Sequence, residues 1–298
     1  MHLFHARTTP AAAAAAKTGG RLFYRHRLPV RIMHWINVIC FFLMLMSGLG
    51  IFNAHPHLYW GRDSDFEAPL LSITARPGPD GRPHGLTHVG AHVFDTDGVL
   101  GASRVEGAAT ERAFPSWATI PGRQYLATAR NWHLFFAWIF VLNGVAYLAY
   151  TIASGHLRHD LAPRKAELRG IGGSLIDHLL LRHPAGAAAK RYNVLQNLSY
   201  LAVIFVLLPL IVLAGLGMSP RLDTLFGGWV EVFGGRQSAR TLHFAAACLL
   251  LAFVVVHVFE VIVTGLWNNL RSMITGYYRV PGEGAEDGAG DGTEESAP

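Results

Sequence analysis

Four long apolar stretches dominate the pattern of hydrophobic and polar positions in this chain. They cover residues 32–52, 132–152, 192–218 and 241–267, and Glu260 is the only Asp, Glu, Lys or Arg within them. A helix needs about 20 consecutive apolar residues to cross the hydrocarbon core of a bilayer. The pattern therefore predicts four transmembrane helices and an all-α fold, an integral membrane four-helix bundle.

The segments outside these spans have a different composition. Residues 53–131 form a long connection rich in Gly, Pro, Asp and His, which is typical of either a functional or a disordered segment. We predict that residues 1–20 are a disordered N-terminal extension and that residues 281–298, with six acids and no base, are a disordered tail. Residues 21–280 then make up one four-span domain.

The composition and the distribution of charge support a membrane location and predict an orientation. The chain is 51% hydrophobic and 15% charged, with a net charge of +5. Six Lys or Arg residues precede the first span, and seven lie in the connection 154–191. Because basic residues flanking spans stay inside, we expect a multi-pass protein of the bacterial inner membrane with both termini cytoplasmic and residues 53–131 periplasmic. We therefore interpret the positive charge as a determinant of membrane orientation and of contact with lipid. No nucleic-acid-binding motif accompanies it.

Of the 16 histidines, four lie within or at the edge of a span: His34, His133, His243 and His257. Alternating span directions place His133 and His243 near the periplasmic surface, and His34 and His257 near the cytoplasmic surface. His243 and His257 are 14 residues apart in one span. On a helix, this spacing returns to within about 40° of the same face and separates the rings by about 21 Å along the axis.

Two pairs of imidazoles at matched depths are the ligands that two b-type haems need, because each haem iron takes one axial imidazole from each side. Gly48 and Gly144 lie on the histidine-bearing faces of the first two spans and would let a flat macrocycle approach the backbone. A single histidine in a membrane helix can equally be a packing residue. Four histidines in two matched pairs favour iron ligation and two haems b.

Short motifs resemble those of a known family. Residues 25–35 read RHRLPVRIMHW, residues 131–133 read NWH, and the fourth span carries the 14-residue histidine pair. Over roughly residues 21–280 the chain resembles the bacterial dihaem cytochromes b of the cytochrome b561-like superfamily, which includes the membrane subunits of nickel-iron hydrogenases and formate dehydrogenases. The long periplasmic connection is more similar to relatives that accompany molybdopterin oxidoreductases of the sulfite-oxidase type. The resemblance implies a periplasmic oxidoreductase partner of the molybdopterin or hydrogenase type.

The resemblance also implies a quinone pocket at the cytoplasmic start of the third span. Residues 190–196 read KRYNVLQ, and Asn193 and Gln196 are the residues that it places near the quinone. A quinone needs an apolar slot with a few polar groups for its carbonyl oxygens. The same residues could instead only satisfy the backbone at a helix start. Glu260, three residues after His257, could relay protons or extend to the interface, and its role stays open.

We expect the chain to transfer electrons between a periplasmic oxidoreductase and the quinone pool, as an electron-transfer subunit of a respiratory complex. One alternative is a stand-alone cytochrome of this superfamily that oxidises superoxide and reduces ubiquinone. Another is a transporter or membrane anchor without haem, in which the histidines only pack.

Overall fold

A computed structural model describes residues 20–79, 81–105, 107–155, 157, 172, 194–225 and 227–281. The predicted N-terminal extension up to residue 19, the acidic tail from residue 282, Asn193 and most of the basic connection 154–191 lie outside the described residues. The chain divides into two compact units. The first unit comprises Met1–Ile32, Thr151–Leu201 and Val255–Pro298, and the second comprises Met33–Tyr150 and Ala202–Val254.

Four helical segments are long and apolar enough to cross a membrane, which confirms the predicted integral membrane helical bundle. They span Leu28–Phe52, Leu126–Ala153, Val194–Gly217 and Arg236–Val263. We name the first two α1 and α2. The third consists of α3 (Val194–Ala202), a π-helical turn (Val203–Leu207) and α4 (Leu208–Gly217), and the fourth is α6, after the short helix α5 (Pro220–Leu225).

The π-helical turn has a local cause in the sequence. Pro209 lies in the first turn of α4, lacks a backbone N–H and would clash with the carbonyl four residues earlier in an uninterrupted α-helix. Widening the preceding turn relieves this clash while the chain stays helical.

Large apolar side chains on the helices are exposed. Trp138 is 65% exposed and Leu142 is 64% exposed, and Phe42, Val145, Val256 and Phe259 are about half exposed or more. In water such continuous apolar surface would be strongly unfavourable, whereas in a bilayer it faces lipid chains. The exposure pattern thus agrees with the hydropathy of the sequence.

The connection between α1 and α2 is folded, which the sequence alone left undecided. It contains a four-stranded antiparallel sheet in the order β2 (His57–Leu58), β3 (Leu71–Pro77), β4 (Pro83–Val89) and β5 (His92–Asp95). A separate hairpin pairs β6 (Ala102–Val105) with β7 (Ala108–Glu111). The connection then continues through a 3-10 turn (Ser116–Ala118) to α2. The all-α membrane bundle therefore carries a small β-structure on this connection, which we call the sheet region (residues 55–125).

A shared apolar core attaches the sheet region to the end of the bundle within the second unit. Phe52 at the end of α1 packs with Leu58, Ile73 and Ala113 of the sheet region. The ring of Phe52 also stacks on Phe244 of α6 at 4.7 Å between centroids. Such aromatic packing buries large apolar area and favours a defined geometry.

Polar contacts reinforce this attachment. The side chain of Asn53 is buried and bonds both peptide groups of Phe114, accepting from its N–H at 2.7 Å and donating to its C=O at 3.1 Å. The backbone N–H groups of Gln237 and Ser238 in the first turn of α6 donate to the carbonyl of Gly61. This satisfies N–H groups that a helix start leaves without partners.

The first unit contains the segments nearest the two ends of the described chain. Strand β1 (Gly20–Tyr24) pairs antiparallel with β8 (Tyr277–Pro281), which follows the short helix α7 (Leu266–Thr275). Asn268 holds α7 to β8, because its Nδ2 donates to the carbonyl of Arg279 at 2.8 Å and its Oδ1 accepts from the N–H of the same residue at 2.9 Å. Arg31 of α1 donates to the carbonyl of Ile274 at 2.6 Å.

Candidate functional site

Two histidines from different helices face each other in the second unit. His133 is the eighth residue of α2 and His243 the eighth residue of α6, and their ring centroids are 6.1 Å apart. The rings are inclined by 65° to each other. Because both residues are near the start of their helices, the pair lies at the end of the bundle that carries the sheet region. We call it the sheet-side pair.

Each ring of the sheet-side pair is oriented by a backbone carbonyl. The Nδ1 of His133 lies 3.1 Å from the carbonyl oxygen of Met44, and the Nδ1 of His243 lies 2.7 Å from that of Ile211. A carbonyl oxygen can only accept, so each Nδ1 must carry the proton of the neutral ring. The Nε2 atoms therefore keep their lone pairs and are available to a metal.

Glycines provide the space beside both rings. A Cβ atom added at Gly48 of α1 would lie 3.4 Å from Cε1 of His133, and one added at Gly215 of α4 would lie 3.2 Å from both Cε1 and Nδ1 of His243. Any side chain longer than that of alanine would push the rings from their present positions. Ser47 adds a polar contact, with its Oγ 3.3 Å from the Nδ1 of His133.

The sheet-side pair has the donor set that a haem b would use. Two neutral imidazoles from facing helices, with ring centroids 6.1 Å apart, are the residues that would hold the haem iron between them. The backbone carbonyls of Met44 and Ile211 would keep the two rings in place.

The other two predicted ligands fall in different compact units, so each is described by itself. His34 in the second unit lies against the ring of Trp35, with centroids 5.5 Å apart. On α2, Asn143 is buried and donates to the carbonyl of Met33 at 2.9 Å and to Oδ1 of Asn37 at 2.8 Å. Gly144, which was predicted to leave space for a macrocycle, has no described atom within 4 Å of an added Cβ.

In the first unit, His257 lies beside an aromatic ring of the third span. The ring centroids of His257 and Tyr200 are 6.4 Å apart. Gln196 and Asn197 lie on α3, and Asn197 is 6% exposed with no hydrogen-bond partner for its Oδ1 among the described residues. Asn193, the other predicted quinone contact, lies outside the described residues.

Reasoning from the sequence missed several residues of this site. Gly215 and Ser47 contact the sheet-side rings, and the carbonyls of Met44 and Ile211 orient them. A signal for Gly215 was present, since a small residue in a span is the place where another group can approach the backbone closely. Among the described residues there is no cluster of three or more His, Cys, Asp or Glu side chains that would hold a different kind of metal centre.

Comparisons with known proteins identify the family of the chain. The family described as prokaryotic cytochrome b561 matches residues 25–276. A protein of Azospira oryzae, named provisionally as the protein-methionine-sulfoxide reductase subunit YedZ1, is 36% identical over 165 residues, which are 55% of this chain and 77% of that protein. No solved structure matches the chain. The chain therefore belongs to the prokaryotic cytochrome b561 family and is a membrane haem protein of electron transfer.

Proposed function

We propose that this chain is a dihaem cytochrome b that transfers electrons between quinone in the membrane and an oxidoreductase bound at the sheet region. The observation that carries the proposal is the sheet-side pair. Its two imidazoles have free Nε2 atoms and a centroid separation of 6.1 Å, in a family that binds haem b. A bis-imidazole haem supplies one-electron chemistry without exchanging a ligand.

His34 and His257 are proposed as the ligands of the second haem. This part of the proposal rests on the sequence. Because successive spans run in opposite directions, the positions of His34 and His257 in their spans predict that both lie near the membrane surface opposite to that of the sheet-side pair. Two haems, one near each surface, would together provide a path for electrons across the bilayer, which is too thick for a single haem to span. The role of this chain is to hold both rings of each pair at a fixed separation and to exclude water from them.

The sheet region is proposed to face the periplasm. The support is the charge pattern, because the Lys and Arg residues concentrate before the first span and in the connection 154–191. On this orientation a haem held by the sheet-side pair would exchange electrons with a periplasmic protein, and His257 would lie near the cytoplasmic surface.

The proposed partner is the catalytic subunit of a protein-methionine-sulfoxide reductase, a molybdopterin enzyme. The support is the 36% identity to the relative from Azospira oryzae whose name describes such a reductase subunit. A reductase consumes electrons, so they would flow from quinol through this chain to the partner.

The surface proposed for docking includes β5, an edge strand of the sheet in which all four residues are exposed, with Val93 57% and Phe94 52% exposed. Exposed apolar edges of this kind are stabilised when a partner covers them.

The first test is the haem content of the purified protein. We expect a reduced-minus-oxidised spectrum of the b type and two haems per chain in a pyridine haemochrome assay. Quinol should reduce both haems, and the partner subunit with a methionine sulfoxide substrate should reoxidise them. Superoxide that reduces the haems at a physiologically fast rate, in the absence of any partner, would instead support the stand-alone oxidase.

A quinone site is proposed at the start of the third span, formed by Asn193, Gln196 and residues near His257. Its support among the described residues is local. Asn197 is buried and keeps an Oδ1 without a partner, and Tyr200 of the same helix lies against His257. Buried polar groups in an otherwise apolar slot are the features that orient a quinone by its carbonyl oxygens.

A substitution in α3 tests this site. Gln196→Leu should slow the reduction of haem by quinol about tenfold, the equivalent of one hydrogen bond of roughly 1.4 kcal/mol, and Asn193→Leu should act in the same direction. Stopped-flow spectrophotometry with a soluble quinol measures the rate, and the haem content should not change. Ser199→Ala on the exposed face of α3 is the matched control. Normal quinol rates in both leucine variants would exclude the pocket and leave the haem sites unaffected.

A further inference from the structure

A polar cluster lies near the start of α6, and none of its residues belongs to the proposed haem or quinone sites. It consists of Arg240 of α6 with His55, His57 and Tyr59 of the sheet region, and we call it the Arg240 cluster. The ring centroids of His55 and His57 are 5.0 Å apart, and the rings of His57 and Tyr59 are nearly parallel at 6.2 Å. The guanidinium carbon of Arg240 lies 5.7 Å from the centre of the Phe52 ring.

The cluster contains donors that lack acceptors. Tyr59 is 1% exposed, and its hydroxyl has no partner among the described residues. The Nδ1 of His57 is likewise buried without a partner in the described part of the chain. Arg240 donates from Nη2 to the carbonyl of His55, and no described carboxylate forms an ion pair with it.

Such an arrangement is costly unless an anion completes it. A partly buried guanidinium without a counter-ion, next to a buried hydroxyl without an acceptor, leaves several desolvated donors unpaired. Burial and then the positive charge of Arg240 lower the pKa of His55 and of His57; the carboxylate of Glu111 opposes this at His57, but the net direction is still downward, which favours neutral imidazoles at pH 7. Arg240 is therefore the single positive charge of the cluster.

The position of Arg240 indicates which anion is available. It precedes His243 by three residues, so its side chain leaves α6 about 60° around the helix from His243 and about 4.5 Å closer to the sheet region. Phe244, the next residue after His243, stacks on the same Phe52 ring that Arg240 covers. Arg240 thus lies about one helical turn from His243, toward the sheet region, and the two positions share the Phe52–Phe244 packing.

We infer that the Arg240 cluster binds a carboxylate, and that this carboxylate is a propionate of the haem held between His133 and His243. The inference rests on the proposed haem ligation. A guanidinium matches a carboxylate with two parallel N–H donors, and the Tyr59 hydroxyl and a protonated nitrogen of His57 supply further donors. The cluster thereby fixes the rotation of the haem about the axis through its two ligands and places a positive charge beside it.

Removing the charge of Arg240 tests the inference. In the full-length protein, Arg240→Gln should accelerate transfer of one of the two haems to apomyoglobin on the order of tenfold, since a partly buried charge pair is lost. It should also lower the reduction potential of that haem, because a nearby cation favours the ferrous state. The second haem of the same protein provides an internal reference.

The carboxylate itself can be observed directly. Redox-difference infrared spectra of protein grown with haem labelled with ¹³C at the propionates should show propionate bands that shift in Arg240→Gln. A smaller shift is expected for Tyr59→Phe, which removes only the unpaired hydroxyl. Arg240→Lys keeps the charge and should retain most of the wild-type potential. Arg236→Gln is the matched control, since Arg236 is exposed and lies one turn earlier on the same helix.

The outcomes separate this inference from the proposed function. Propionate bands and haem-release rates that are unchanged in Arg240→Gln, with two haems present, would overturn the inference alone. Unshifted propionate bands together with a potential that responds to added sodium formate in the wild type, but not in the variant, would assign the cluster to a free carboxylate and also overturn it. A wild-type protein that binds no haem at the sheet-side pair would contradict the proposed function itself.

Discussion

The variants His133→Ala and His243→Ala should each contain one haem b per chain instead of two. Each substitution removes one of the two imidazoles proposed as ligands, whose ring centroids are 6.1 Å apart. A haem with one remaining protein ligand becomes high-spin or is lost during purification, since an axial imidazole contributes several kcal/mol of the binding free energy. The pyridine haemochrome assay and low-temperature electron paramagnetic resonance spectra measure the stoichiometry and the spin state.

A matched control and a second kind of variant make this test specific. His92→Ala changes an exposed histidine of β5 and should leave both haems in place. Gly215→Leu keeps all four histidines but introduces a side chain where an added Cβ already lies 3.2 Å from the His243 ring, and it should disturb the same haem. Two unaltered low-spin haems in His133→Ala or His243→Ala would show that the ligand assignment is wrong.

The variant Arg112→Met should destabilise the sheet region by about 3 kcal/mol or more. Arg112 is 2% exposed and donates three hydrogen bonds: from Nε to the carbonyl of Phe114, from Nη1 to the carbonyl of Gly122 and from Nη2 to Oγ1 of Thr119. Methionine fills a similar volume but removes all three donors, so that the carbonyl of Phe114 keeps only the bond from Asn53. We expect faster cleavage between β7 and α2 in limited proteolysis of the protein in detergent.

The arginine that serves as a control for this prediction lies on the neighbouring hairpin. Arg104 of β6 is exposed, and Arg104→Met should leave the proteolysis rate unchanged within a factor of two. Equal rates for Arg112→Met and the wild type would mean that the three bonds contribute little to holding the segment. Because Arg112 is remote in sequence from the four predicted ligands, the haem content should be less affected than the proteolysis rate.

The membrane helices were predictable because their signal is local. About twenty apolar residues in sequence are sufficient to indicate a span, and each predicted span overlaps a helix of the structure, with ends that differ by at most six residues. The pairing of His133 with His243 could also be predicted, since the alternating direction of the spans fixes the depth of each residue. The pairing of His34 with His257 stays a prediction.

The sheet region could not be predicted because its determinants are distant in sequence. Strand β2 has two residues, and it is fixed by pairing with β3 more than ten residues later. Asn53 has the polar character of a surface residue, yet it is buried because its partner Phe114 comes from a segment 61 residues later. For the same reason Arg240 was not recognised as part of a site. Its neighbours His55, His57 and Tyr59 lie more than 180 residues earlier in the chain.

Membership of the cytochrome b561 family argues against one of the alternatives that the sequence left open. A transporter or anchor without haem is not supported, because the family consists of haem proteins. The partner and the direction of electron flow depend on the proposals above. The haem stoichiometry and the reoxidation experiment address both.

The pairing of β1 with β8 restricts how this chain can be threaded through a bilayer. Gly20–Tyr24 hydrogen-bonds to Tyr277–Pro281, so the beginning and the end of the described chain lie on the same side, whichever side that is. Only an even number of crossings satisfies this condition, and losing or adding one span would break the strand pair. During synthesis β1 emerges before all four spans and β8 after them, so the pair closes only after every intervening span has been made. The β1–β8 pair can therefore form only in a chain whose spans are all inserted.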